Sequence, residues 1–120
     1  MRLIGIDAGT TSVSGVLLNT ETGQVEEVLS CEHNATLSAE NSDVDIQDPQ
    51  KILDSIESIQ ERLLAKAELA APNNLRRQEA VQGISLTGQV HGILYTDEGG
   101  CHVSPLYTWQ DTRARRATPA

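Results

Sequence analysis

Aromatic residues are almost absent from this 120-residue sequence, which has no phenylalanine, one tryptophan and two tyrosines. A hydrophobic core must therefore be built from leucine, isoleucine, valine and alanine. Cysteine is equally scarce. Cys31 and Cys101 are too few and too far apart for a disulfide framework, and the three histidines complete no zinc-binding spacing with them. This cysteine usage favours a reducing compartment, and we expect a cytoplasmic location.

Basic residues are also in deficit, since 9 Lys and Arg oppose 17 Asp and Glu for a net charge of −8. An acidic surface repels phosphodiester backbones and anionic lipids, so we expect neither nucleic acid nor a membrane as a partner. No apolar run approaches membrane-spanning length, and the amino terminus lacks a signal-peptide pattern. The composition, with 38% apolar and 22% charged residues, is that of a modest globular domain.

Short apolar segments separated by turn-forming residues predict three strands at the start of the chain. They span residues 3–7, 12–18 and 24–33. Because the connections are short, we expect an antiparallel meander. Residues 34–47 are polar and acidic without a clear period, which predicts an irregular loop.

A long amphipathic helix is predicted next. Asp48 is a favourable N-cap, Pro49 suits the first helical position and Pro72 ends the helix. Apolar residues recur three and four positions apart between these limits. They are Ile52, Ile56, Ile59, Leu63 and Ala67, with Leu53 and Leu64 widening the stripe. A helix of this length is the crossover that parallel strands need, so residues 81–86 predict a parallel strand.

The remaining segments complete an α/β pattern. Residues 93–96 and 106–109 predict extended structure, and Asp111 or Thr112 predicts the cap of a further helix. We therefore expect a mixed sheet that contains the three-stranded meander and a crossover helix. The chain stops as its last helix begins, so we expect a truncated domain. Its unfinished sheet would expose an edge through which a homodimer could form.

The first candidate site is the turn at residues 7–12. Gly9 lets the backbone approach a ligand closely, and the turn N–H groups with the Thr10 and Thr11 hydroxyls can donate to phosphate oxygens. Asp7 can hold Mg²⁺ beside them. The alternative is an ordinary hairpin turn whose polar side chains satisfy their own backbone.

The second candidate site is the segment Gly88-Gln89-Val90-His91-Gly92 after a buried strand. An amide and an imidazole there suit sugar hydroxyls, which need both donors and acceptors. The alternative is a structural histidine in a bulge. Glycines on both sides favour the ligand site, because they allow an irregular backbone and are difficult to explain by packing.

The third candidate site is Thr108-Trp109-Gln110-Asp111-Thr112-Arg113. A tryptophan ring beside hydrogen-bonding groups suits the apolar face of a sugar. Taken alone, however, the segment favours a core tryptophan followed by a helix cap at Asp111, which needs no ligand.

Four segments together resemble the start of the FGGY carbohydrate kinases. They are Asp7-Ala8-Gly9-Thr10-Thr11, Gln47-Asp48-Pro49, the glycine-flanked segment 88–92 and Trp109-Gln110-Asp111-Thr112-Arg113. Their order and spacing match over nearly the whole chain. The similarity is greatest to the xylulokinase and sedoheptulokinase branches, where Gly-Gln-Met-His-Gly is usual.

This resemblance implies a ribonuclease H-like, actin-like ATPase fold and transfer of the ATP γ-phosphate to a ketose hydroxyl. Residues 1–120 would form the N-terminal part of the first kinase domain, without its remainder or the second domain. The ATP and Mg²⁺ side would be formed by Asp7, Gly9, Thr10 and Thr11, with Asp7 as the metal ligand. The sugar side would be formed by Gln89, Val90, His91 and Asp111.

The sequence departs from the family pattern in three ways. Ser14 stands where the family commonly has Lys or Arg, so a positive charge near the phosphates is missing. Val90 replaces the usual Met, which changes the shape of the sugar pocket. The catalytic base and the adenosine-binding motifs of the family lie beyond residue 120, so this chain alone is expected to be inactive. A non-catalytic, nucleotide-binding scaffold or sensor remains the alternative function, although Gln89 and His91 favour a kinase.

Overall fold

A computed structural model describes residues 1–71 and 77–117 of the chain. Four strands form the main sheet: β1 (Arg2–Ala8), β2 (Ser12–Asn19), β3 (Gln24–Glu32) and β5 (Gly83–Gly88). Two short strands, β4 (Ile46–Gln47) and β6 (Leu106–Tyr107), pair separately. The helices are α1 (Pro49–Ala70), α2 (Arg77–Ala80) and a 3₁₀ turn at Arg113–Ala117.

The main sheet has the order β3-β2-β1-β5. The pairs β1–β2 and β2–β3 are antiparallel, whereas β1 and β5 run parallel. The predicted meander and the parallel crossover strand are therefore confirmed. Because a parallel strand must return from the opposite end of the sheet, the chain crosses over through α1 and α2 between β4 and β5.

Alternation along β1 and β2 directs one face of the sheet towards α1. Ile4 and Ile6 of β1 are 1% and 3% exposed, and Val13 and Leu17 of β2 are fully buried. The residues between them in sequence lie on the opposite face, as the period of two in a strand requires. Asp7 is one of these, and it is exposed at the end of β1.

Helix α1 begins as predicted and packs through part of the predicted stripe. The Asp48 side chain accepts a hydrogen bond from Gln50 N at 2.9 Å. Ile59, Leu63 and Ala67 are fully buried against the sheet. Leu53 is 47% exposed, so the stripe is narrower at this end than the sequence predicts. Pro72 lies outside the described residues.

Glycine on β2 allows α1 to lie close to the sheet. A Cβ placed on Gly15 would be 2.5 Å from Ile59 Cγ2 and 2.8 Å from Leu63 Cδ1. Both neighbours are fully buried, so neither has free space to move into. The helix therefore rests directly on the backbone of β2.

Three predictions about the smaller elements are wrong. The segment 34–47 is not wholly irregular, because it ends in β4 and contains a bridge from Thr36 to Gln47. The segment 93–96 forms only single bridges, from Ile93 to Tyr107 and from Thr96 to His102. The last predicted helix is a 3₁₀ turn of 5 residues. Within the described residues, no helix is both long and apolar enough to cross a membrane.

Candidate active site

The turn between β1 and β2 is tight and closed by its own backbone. Gly9 N donates to Ser12 O at 2.8 Å. A Cβ on Gly9 would lie 3.1 Å from the same oxygen, which is closer than side chains normally approach backbone. Thr10 and Thr11 therefore occupy the tip of the turn, and the side chain of Thr11 is exposed.

Two buried side chains hold the carbonyl groups of this turn. His33 Nε2 donates to Gly9 O at 3.1 Å, and Gln47 Nε2 donates to Thr10 O at 2.8 Å. The tautomer of His33 follows from its other nitrogen, because Ala35 N donates to Nδ1 at 3.2 Å and Nε2 must then carry the hydrogen. The two side chains are 5% and 2% exposed. Two side-chain hydrogen bonds to backbone carbonyls therefore fix the turn against the rest of the protein.

These anchors determine where the turn N–H groups point. In a trans peptide the carbonyl and the next N–H point in opposite directions, and the described part of the chain has no cis peptide bond. Since the Gly9 and Thr10 carbonyls point towards His33 and Gln47, the N–H groups of Thr10 and Thr11 point away from them. No described residue accepts a hydrogen bond from either N–H. Successive N–H groups of a turn without protein acceptors are the donors from which anion-binding sites are built.

Asp7 lies beside this turn with its carboxylate exposed to solvent. Its register partners are Ser14 on β2 and Thr87 on β5. The described residues contain no cluster of three or more His, Cys, Asp or Glu that would hold a metal by itself. Mg²⁺ commonly takes one or two carboxylates together with substrate phosphates and water, so Asp7 next to an anion-binding turn fits this ion.

Ser14, at the position where the resemblance predicts a missing positive charge, has a partner on β3. Its hydroxyl lies 3.0 Å from that of Ser30. This pair occupies the same sheet face as Asp7, because cross-strand register partners share a face. Two neutral hydroxyls therefore stand beside Asp7 on this side.

Gln89 connects the second predicted site to the turn. Its Nε2 donates to Gln47 Oε1 at 2.9 Å, and its backbone N donates to Ala8 O at 3.0 Å. The Gln89 Oε1 is buried and accepts no hydrogen bond from the described residues. Buried acceptors without a donor are rare in folded proteins. This oxygen is enclosed by the protein, so a ligand hydroxyl would reach it only after a local rearrangement.

His91 has an unusual backbone and an exposed side chain. Its φ is +62°, a left-handed conformation that non-glycine residues rarely adopt. The predicted explanation of the flanking glycines is wrong, because the irregular backbone falls on His91 itself. Packing accounts for both glycines: a Cβ on Gly88 would lie 2.8 Å from Ala8 O, and one on Gly92 would lie 3.0 Å from Leu106 Cδ1.

A cleft of about 590 Å³ joins His91 to the third predicted segment. It is lined by His91, Ile93, Tyr95, Tyr107, Thr108, Trp109, Asp111, Arg113 and Ala114. Trp109 is 54% exposed, so its assignment to the core is wrong. Its Nε1 instead donates to Thr10 Oγ1 at 3.2 Å. This contact places the tryptophan between the cleft and the turn.

Asp111 is held at the edge of the cleft by Arg113. The guanidinium donates to both carboxylate oxygens, with Nη2 2.8 Å from Oδ2 and Nε 3.1 Å from Oδ1. Hydrogen bonding from Arg113 lowers the pKa of Asp111 to about 2, although partial desolvation of the carboxylate opposes the shift. The carboxylate also accepts from Asp45 N at 3.1 Å, which ties this segment to the chain just before β4.

Most of the predicted site residues come together, but two of the sugar-side residues do not line the cleft. Asp7, Gly9, Thr10 and Thr11 form one side, and His91 and Asp111 line the cleft on the other, with Trp109 between them. Gln89 is joined to the turn through Gln47. Gln89 and Val90 instead line a different cavity, beside Leu86 and Leu106. Val90 is 65% exposed. Sequence reasoning assigned no role to His33, Gln47 or Tyr107. Only Gln47 had a signal in the sequence, as part of Gln47-Asp48-Pro49.

Comparison with known proteins places the chain among sugar kinases. Residues 2–118 match the N-terminal domain of the FGGY family of carbohydrate kinases. Xylulose kinase of Bacillus subtilis (strain 168) is 31% identical over 111 residues, covering 92% of this chain and 20% of that protein. Sedoheptulokinase of Mus musculus is 33% identical over 129 residues, covering 92% of this chain and 26% of that protein.

The likeness extends to solved structures. Xylulose kinase from Rhodospirillum rubrum superposes with a TM-score of 0.75 at 25% identity, over 99% of this chain and 24% of that chain. The predicted fold, an α/β ribonuclease H-like domain of the actin-like ATPase type, is confirmed. The chain spans only about a fifth of the length of the curated xylulose kinases that it matches.

Proposed function

This chain belongs to the FGGY family of carbohydrate kinases, and on that premise we propose that it supplies the phosphate-binding turn and part of the sugar site of an ATP-dependent ketose kinase. It would form the N-terminal part of the first domain of that enzyme. A kinase must hold the γ-phosphate of ATP and the accepting hydroxyl side by side. The observation that carries the proposal is the hydrogen bond from Trp109 Nε1 to Thr10 Oγ1, which joins the anion-binding turn to the cleft.

On the nucleotide side, we assign the outward N–H groups of Thr10 and Thr11 to phosphate oxygens. Their hydroxyls add donors, and the missing Cβ of Gly9 leaves room for close approach. Asp7 would hold Mg²⁺, which supplies charge neutralisation and orientation of the phosphates when it is bound. The neutral Ser14–Ser30 pair adds no positive charge here, so turn N–H groups and the metal carry the stabilisation of the phosphates.

On the sugar side, Gln89, His91 and Asp111 would bind hydroxyl groups. The Gln89 Oε1 accepts, the Asp111 carboxylate accepts, and the His91 imidazole can do either. The exposed ring of Trp109 offers an apolar surface to the carbon face of the sugar. This mixture of groups suits a polyol. Val90, at the edge of the segment, stays a prediction as a substrate contact.

The choice of a ketose rests on the relatives, several of which are named xylulose kinases and one a sedoheptulokinase. Such a sugar carries hydroxyl groups along its carbon chain, which suits a cleft lined by polar residues such as His91, Asp111 and Arg113. The group that deprotonates the accepting hydroxyl would be supplied by another part of the enzyme. The cytoplasm, where ATP is abundant and Cys31 and Cys101 would stay reduced, is the location we propose.

The test is Asp7→Asn in the full-length enzyme that carries this chain. Because the substitution removes the charge but keeps the shape, we expect kcat to fall by about 10²-fold or more, while sugar affinity changes little. Asp54→Asn, at an exposed position of α1, is the matched control and should leave both unchanged.

The measurements are Mg²⁺-dependent ADP formation and direct titration with xylulose and sedoheptulose. Near-normal turnover of Asp7→Asn would remove Asp7 from the metal site. If the unaltered full-length protein bound ATP but formed no ADP with either sugar, the kinase proposal would fail and the nucleotide-binding scaffold would take its place.

A further inference from the structure

Gln47 uses both ends of a buried amide to connect the two sides of the site. Its side chain is 2% exposed. Nε2 donates to the Thr10 carbonyl at 2.8 Å, and Oε1 accepts from Gln89 Nε2 at 2.9 Å. Its two partners lie 37 and 42 residues away in sequence. One side chain therefore touches both the turn and the segment that carries His91.

The backbone of Gln47 is itself fixed from several directions. It is the last residue of β4, where it pairs with Leu106 of β6 and bridges to Thr36. The next residue, Asp48, caps α1. Since β4, β6 and α1 all hold this position, the backbone of Gln47 cannot shift without moving one of them, and burial with two hydrogen bonds restrains the side-chain amide. Gln47 is a rigid support for whatever its side chain binds.

We propose that Gln47 is a positioning residue that sets the distance and orientation between the phosphate-binding turn and the sugar-binding segment. The two hydrogen bonds of Gln47 are independent of the proposed kinase function, whereas the expected effect on catalysis rests on it. By holding the Thr10 carbonyl, Gln47 directs the Thr11 N–H outward. By holding Gln89 Nε2, it leaves the Gln89 Oε1 as an acceptor without a donor among the described residues.

An amide is suited to this position because it donates and accepts at the same time. A hydrophobic side chain of the same size would leave the Thr10 carbonyl and Gln89 Nε2 without partners in a buried place, which is costly. A carboxylate would keep the acceptor for Gln89 but repel the Thr10 carbonyl oxygen. The two substitutions therefore separate the two contacts.

The first experiment uses the 120-residue chain and does not depend on catalysis. We compare the backbone amide resonances of Thr10 and Thr11 and the side-chain amide resonances of Gln89 in Gln47→Met, Gln47→Glu and the unaltered chain. Both variants should shift the turn resonances, whereas only Gln47→Met should shift the Gln89 side chain. Gln50→Met is the control, since Gln50 is an exposed glutamine of α1. It should shift none of them.

The second experiment measures kinetics in the full-length enzyme. A displacement of about 1 Å between reacting groups costs on the order of 10²-fold in rate, so both Gln47 variants should lower kcat by about 10- to 100-fold. Gln47→Met should also raise the KM for sugar by about 10-fold, and Gln47→Glu should leave it within about threefold. A purely structural role would lower thermal stability without this division between kcat and KM.

Different results overturn the two proposals separately. Unchanged Thr10 and Thr11 resonances in both variants would refute the positioning role even if the enzyme is a kinase. If the resonances of the 120-residue chain shift as expected but the full-length protein has no sugar kinase activity, only the kinase function is refuted. If either Gln47 variant fails to fold, Gln89→Met replaces it. Its side chain does not touch the turn, and the turn resonances should still shift because Gln47 loses one anchor.

Discussion

Substitution of His91 tests whether this residue binds sugar or only stabilises the fold. The side chain is exposed, lines the cleft and makes no hydrogen bond to a described residue. We therefore expect His91→Ala to leave the free energy of unfolding nearly unchanged. In the proposed full-length kinase the same change would remove one hydrogen bond to a sugar hydroxyl, worth about 1 kcal/mol and more if the partner is left buried. Ketose binding should weaken by about 10- to 100-fold.

The backbone of His91 allows a second, independent check on stability. A side chain at φ +62° costs about 1 kcal/mol relative to glycine. His91→Gly removes that cost, but glycine also loses about 0.5–1 kcal/mol more conformational entropy on folding. The two effects nearly cancel, so His91→Gly should melt within a few degrees of the unaltered chain and bind sugar as weakly as His91→Ala.

The assays are thermal unfolding of this chain followed by circular dichroism and calorimetric sugar titration of the full-length enzyme. His102→Ala is the control, because His102 lines a separate apolar cavity beside α1. It should leave sugar affinity unchanged. A large drop in melting temperature for His91→Ala, with unchanged sugar affinity, would refute the assignment of His91 to the sugar site.

Two further predictions concern the packing of α1 and the acid end of the pH range. Gly15→Ala should lower stability by about 1–3 kcal/mol, or roughly 5–15 °C in melting temperature, because the new methyl group meets two fully buried side chains. Gly5→Ala, whose Cβ would meet only one side-chain atom at 3.3 Å, should cost less, and equal losses in thermal denaturation would contradict the explanation. The pKa of Asp111 is lowered to about 2 by hydrogen bonding from Arg113, so its contribution to stability is present above about pH 4 and is lost as the pH falls through 2. Asp111→Asn should remove this part of the pH dependence in urea unfolding between pH 2 and 5, and an unchanged slope would show that the carboxylate is not held by the folded state.

Regular elements were predictable from the sequence because their side chains carry a period. The alternation in β1 and β2 and the spacing of Ile59, Leu63 and Ala67 each repeat over several residues. Burial of one face produces such a repeat directly. The predictions failed where an element is too short to repeat. β4 has only 2 residues, and it forms through pairing with β6 and a bridge to Thr36, which lie elsewhere in the sequence.

The residues of the candidate site also fall into two groups, those that the sequence predicted and those that it did not. Asp7, Thr10 and His91 stand in motifs whose residue types already indicate a chemistry. The anchors of the turn do not, because His33 and Gln47 act on carbonyl groups 24 and 37 residues away. A glutamine that holds a backbone carbonyl has the same local sequence as one that faces solvent. Such roles become visible only when the chain has brought the two segments together.

The parallel pairing of β1 and β5 explains why two motifs that are distant in sequence lie side by side. Ala8 and Gly88 are register partners at the carboxyl ends of these strands. Ligands of open α/β sheets bind beyond these ends, where the loops of neighbouring strands diverge. The turn at Gly9 and the segment at Gln89 each begin one residue after this pair, so they start side by side. Gly88 keeps them close, since a Cβ there would lie 2.8 Å from Ala8 O and would force the two strands apart.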